Sequence, residues 1–223
     1  MKFKTLILIT LGSFILGCEN TPSDNVSSAY IFDTSLKNSY ENLNATLNKK
    51  RIEIKFESDT IVNNCIDYLS QLKSSELFDG VNNKIHQNEY LICEALDLLK
   101  SRNVSASNNN EDYGNKLSNR LTLTSYPSSI NQESEAYGLT LQKLDPSHLK
   151  IGKHSVTRET DDWTYSLQVI ASTDLNNDNI DDLIIWLHDQ AKAGNYHSYT
   201  TLIVPLYNND QPLSATPYNE WHP

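Results

Sequence analysis

The chain has 223 residues and a formal net charge of −10, from 28 acidic residues against 18 Lys and Arg. That length suits one sizeable domain or two small ones. The acidity argues against nucleic acid and anionic lipid headgroups as partners and leaves cations and basic surfaces as the natural ones.

The chain opens with positive charge at Lys2 and Lys4, followed by an apolar run over 5–16 that ends at Gly17-Cys18. A charged start, a short apolar stretch and a small residue before the cut are the marks of a secretory signal peptide. About a dozen apolar residues fall short of the roughly 20 that span a bilayer. Ile15-Leu16-Gly17-Cys18 resembles the lipobox of bacterial lipoproteins. The resemblance implies that 1–17 is removed and that Cys18 becomes the first residue, carrying palmitate-type acyl chains; two or three such chains anchor a protein stably where one does not. Glu19, rather than Asp, resembles the outer-membrane sorting signal of a Gram-negative host. The expected location is thus the cell envelope, lipid-anchored, and in a Gram-negative host the outer membrane, on its periplasmic side or at the surface. Removing seventeen of 223 residues, Lys2 and Lys4 among them, leaves 206 and a formal charge two units more negative, −12. Cys65 and Cys93 are then an even pair in an oxidising compartment, where a disulfide is the default.

Residues 18–34 are polar and read as a flexible tether after the lipidated Cys. The region 35–100 is helical in pattern. Leu36, Tyr40, Leu43 and Leu47 form one stripe; Ile61, Val62, Cys65, Tyr68, Leu69 and Leu72 a second; Ile85, Ile92, Leu96 and Leu99 a third. Only 51–57 departs from it, with Ile52, Ile54 and Phe56 alternating as in a strand. Residues 101–120 begin with an Asn-rich stretch and read as a linker. Over 121–223, short β-branched and aromatic runs at 121–124, 138–144, 149–157, 163–172, 183–188 and 196–207 are separated by turn signals, without helical crossovers. The sheet should therefore be antiparallel. The expected fold class is α+β, a helical N-terminal part followed by a C-terminal antiparallel meander.

Within that meander, Asp174, Asn176, Asp178 and Asp182 stand at loop positions 1, 3, 5 and 9, with the Ile180 carbonyl at position 7. Alternating oxygens on a curled loop are what Ca²⁺ needs for its six to eight ligands. Flanked by apolar strands, the loop resembles the calcium loop of FG-GAP repeats and, more distantly, dockerin and EF-hand loops. It stands here as a single copy, with Ile185 where an EF-hand has its bidentate Glu. The resemblance implies a bound Ca²⁺; the alternative is an Asx-rich hairpin turn with no metal.

A second cluster follows at His188, Asp189, Lys192, Tyr196 and His197. In an open cleft His188 and Asp189 would make a base with an orienting acid, and His188 with His197 a metal pair. The other reading is the solvated ends of two strands. There is no Gly-x-Ser-x-Gly elbow, phosphate-cradling Gly-rich loop or His-Glu-x-x-His. The sequence favours a calcium-stabilised, non-enzymatic binding or scaffolding module held to a membrane by its anchor, with a basic protein or cell-wall component as partner and no nucleic acid. The alternatives are a cell-envelope hydrolase using His188, Asp189 and His197, and an acidic inhibitor or immunity-type lipoprotein.

Overall fold

The computed structural model describes residues 28–105, 110–133, 138–207 and 209–222. The predicted signal peptide and lipidation site, Cys18, lie outside them.

The sheet grows from the C-terminal half. Here β5 (Leu149–Gly152), β6 (Ser155–Glu159), β7 (Trp163–Thr173), β8 (Asp182–Ala191) and β9 (His197–Val204) pair in sequence order as an antiparallel meander. The chain start adds β1 (Ser28–Ile31), antiparallel to β7, and β4 (Asn103–Val104), parallel to β1. On the other side β10 (Thr216–Pro217) pairs with β9. A register shift between Val169 and Ala171 divides β7. Its first part pairs with β6 and its last with β1. The Ile170 carbonyl at the bulge accepts the N–H groups of Phe32 and Asp33, which steers the chain from β1 into the first helix.

Five consecutive apolar residues, Leu183 to Leu187, reveal why the meander is not half-solvated. An unbroken apolar run suits a strand covered on both faces. Leu183, Ile185 and Leu187 join a core with Val169, Leu202 and Val204. This face is covered by α6 (Tyr113–Arg120), α7 (Ser129–Glu133) and α8 (Leu141–Leu144). Ile184 and Ile203 point to the other face. There they meet α1 (Thr34–Glu41) and α5 (Leu91–Leu99) through Leu36, Ala95, Leu96 and Leu99. Each such fully buried aliphatic side chain contributes about 1.5–3 kcal/mol. The result is three layers, with helices on both sides of a mostly antiparallel sheet.

Between α1 and α5 come α2 (Leu43–Asn48), the two-stranded ribbon β2 (Ile54–Lys55) and β3 (Ile61–Val62), α3 (Cys65–Leu72) and α4 (Val81–Gln87). They surround a third core of Ile54, Phe56, Val62, Tyr68 and Tyr90. Cys65 and Cys93 lie in it, bonded as expected, with Cα atoms 5.2 Å apart.

The expected α+β mixture is present, but the two halves are interleaved rather than consecutive. The predicted tether contains β1, and the predicted linker contains β4 and α6. Both β1 and β4 are short and complete their hydrogen bonds only on distant partners, so no local period announces them. Of the residues read as strands at 138–144 and 121–124, Leu141–Leu144 form α8, while Leu121 makes a single bridge to Leu213 before a 3-10 turn at Leu123–Ser125. Ile61 and Val62 belong to β3 rather than to a helix, because Asn64 caps α3 by accepting the Asp67 N–H. Gly114 lets α6 rest on the β5–β6 hairpin: a Cβ there would stand 1.9 Å from the Gly152 carbonyl oxygen.

Candidate functional site

The 174–182 loop is the β7–β8 connection, and its backbone turns through positive φ at Asn177 and Asn179. Asn tolerates that region better than other non-glycine residues. The side-chain oxygens converge on the loop's own backbone. Asp174 accepts the N–H groups of Asp178 at 3.2 Å and Asn179 at 2.9 Å, and Asp178 accepts that of Ile180 at 2.8 Å. Asn176 accepts the Asp178 N–H at 2.9 Å, and Asp182 accepts the Leu175 N–H at 2.8 Å. Asp182 is fully buried. Burial pushes its carboxyl up to about 6, and the charges of Asp178 and Asp174 add to the rise against the opposing Leu175 bond. Asp174, Asp178 and Asp182 thus share one turn with Asp181, and four carboxylates so placed suit a cation. Among the described residues, however, no three His, Cys, Asp or Glu side chains stand grouped as a metal site would need. A Ca²⁺ here would share oxygens already bonded to N–H groups, which a carboxylate with about four acceptor sites allows.

His188 and Asp189 are neighbours on β8 and therefore face opposite sides of the sheet. His188 packs edge-on against Tyr199, 5.4 Å between centroids, and burial lowers its pKa. His197 stacks on the same Tyr199 ring at 6.1 Å. On the other face, Asp189 is fully buried and accepts the Ser129 N–H at 2.6 Å, the Ser129 hydroxyl at 2.7 Å and the Trp163 indole N–H at 2.5 Å. The Tyr196 hydroxyl donates to it at 3.4 Å. The charge beside it adds to the burial that pushes Tyr196 up to about 12. A base with its orienting acid requires the two side chains in contact. These two are separated by the sheet, and Asp189 fastens α7 to β8.

No known protein family matches the chain. Neither a curated protein nor a solved structure matches it.

One feature that the helical pattern hid is a cleft of 720 Å³ between α3, α4, the β9 edge and the 217–220 turn. Glu94 lies at its inner wall, only 4 % exposed. The Tyr68 hydroxyl donates to Glu94 at 2.5 Å, and Thr201, whose hydroxyl donates to the Leu91 carbonyl at 3.5 Å, lies beside it. Burial pushes Glu94 up to about 7, opposed by its polar neighbours Thr201 and Tyr68. A second groove of 530 Å³, lined by Leu69, Leu98 and Trp221, continues from the first across Leu72, Lys73, Tyr218 and Asn219. The signal in the sequence was Glu94 itself, an acid inside the apolar run Leu91-Ile-Cys-Glu-Ala-Leu.

Proposed function

We propose that the chain is an envelope lipoprotein anchored to the membrane through Cys18, acting as a non-enzymatic binding or scaffolding module. The Cys65–Cys93 disulfide carries the reading, because such bonds persist in oxidising compartments and are rare in the cytosol. It agrees with the charged, apolar and Gly-Cys opening of the chain. The separation of His188 from Asp189 removes the only residue pair that favoured a hydrolase.

Calcium is the second element of the proposal. The like charges that crowd Asp182 would become a source of attraction around Ca²⁺, ordering the β7–β8 turn. The partner would be a basic protein or a cell-wall component, in keeping with the charge of −10.

Replacing Cys18 with Ser tests the anchor. The variant should leave the membrane fraction for the soluble one, and labelled palmitate should enter the wild type alone. A Cys18→Ser protein that still sediments with membranes would overturn the reading.

A further inference from the structure

The 720 Å³ cleft combines features that point to one ligand chemistry. Its inner wall carries a carboxyl that is almost wholly buried yet borders the open space. The Tyr68 hydroxyl occupies one of the roughly four acceptor sites of that carboxyl, with Thr201 beside it. The charged side chains around it are Lys73, Glu76 and Asp79 between α3 and α4, Lys84 on α4, and Glu220 in the C-terminal turn. Lys84 is bound to Asp79 at 2.6 Å. With that pair set aside, Glu76, Glu94 and Glu220 face a single lysine, so the cleft favours a cation. Tyr68, Tyr218 and Phe78 supply aromatic walls, and a ring face attracts an ammonium group. The adjoining groove, with Leu69, Leu72 and Leu98, offers apolar length for an aliphatic stem.

We propose that this cleft binds an alkyl-ammonium group, its nitrogen seated against Glu94 and its carbon chain lying toward the Leu72–Tyr218 groove. An ammonium brings three donors and a charge to an acceptor already shielded from water, so the bond is charge-assisted. The inference deepens the binding-module reading by naming its ligand class. It fails separately from it, because the anchor is read by acylation and the cleft by amine binding.

Two sources offer this chemistry, a free diamine and a lysine side chain in a peptide. The probes are cadaverine and N-acetyl-lysine methylamide, titrated calorimetrically into the folded 18–223 chain carrying Cys18→Ser. Only ionised Glu94 pairs with the ammonium, so binding should release a proton. With Glu94 near 7, affinity should rise about tenfold between pH 6 and pH 8. Repeating the titration in buffers of different ionisation enthalpy measures the released proton. Tighter binding of cadaverine assigns a free diamine, and tighter binding of the lysine derivative a peptide. Glu94→Gln keeps the shape and an acceptor for the Tyr68 hydroxyl, and should abolish both the binding and the proton release. Should Glu94→Gln not fold, movement of the Thr201 amide resonance during wild-type titration replaces it. Failure of both probes to bind at millimolar concentration would overturn the proposal. So would binding with no proton release, an unmoved Thr201 resonance, or unchanged affinity in folded Glu94→Gln.

Discussion

Asp189 on β8 holds Ser129 by two bonds at once, taking its backbone N–H on one carboxylate oxygen and its hydroxyl on the other. Sixty residues separate the two in sequence, and the pair fixes where α7 meets the sheet. The Trp163 indole shares the same carboxylate, its ring packed at a tilt against Tyr196 with centroids 5.1 Å apart. Asp189→Ala would leave two N–H donors and two hydroxyls without their acceptor. A stability loss of about 3–5 kcal/mol is expected in urea unfolding, with Asp189→Asn milder. A loss below about 1 kcal/mol would contradict the role of Asp189 as an anchor.

The Cys65–Cys93 bond joins α3 to α5 across 28 residues. For a loop of that size the chain-entropy account gives about 3–4 kcal/mol. Unfolding in denaturant with and without dithiothreitol should differ by this amount, and Cys65→Ser with Cys93→Ser should match the reduced protein. Free thiols in envelope-extracted protein would contradict the bond.

For the β7–β8 turn, millimolar Ca²⁺ should raise the melting temperature and EDTA should lower it. A ligand binding only the folded state at a hundred times its Kd adds about 2.7 kcal/mol. Mg²⁺, which demands a tighter octahedron, should add less. Asp178→Ala should abolish the response while leaving the fold intact. A melting curve indifferent to both Ca²⁺ and EDTA leaves the turn held by its own Asx bonds alone.

Glu94 and Asp182 give stability a particular pH dependence. Their folded pKa values, about 7 and about 6, stand above the ordinary carboxylate range. The folded state therefore holds protons that the unfolded chain has released, and stability falls as pH rises from about 4.5 through 7. His154 and His188, whose pKa values burial lowers, act in the opposite sense over the same range. The difference between wild type and Glu94→Gln isolates the carboxyl. Between pH 5 and 8 the wild type should lose stability relative to the variant. Parallel curves would rule out the raised pKa of Glu94.

Short-range patterns in the sequence determined much of this molecule. The meander from β5 to β9 followed from β-branched and aromatic runs and turn residues, and the turn at 174–182 from its Asx spacing, since both close their hydrogen bonds nearby. Cys65 and Cys93 were paired by count and compartment. Tertiary structure alone decided the rest. β1 exists because β7 continues past its bulge and offers it an edge, and β4 because β1 in turn offers one. Residues 138–144 became α8 because Leu141 packs into the core beneath α6 rather than pairing with a strand. His188 and Asp189, adjacent in the chain, were parted by the strand pleat, while Glu94, Tyr68 and Thr201 were brought together from three elements. A carboxyl draws its chemistry from the partners and solvent around it, and for Glu94 and Asp189 those come from distant parts of the chain.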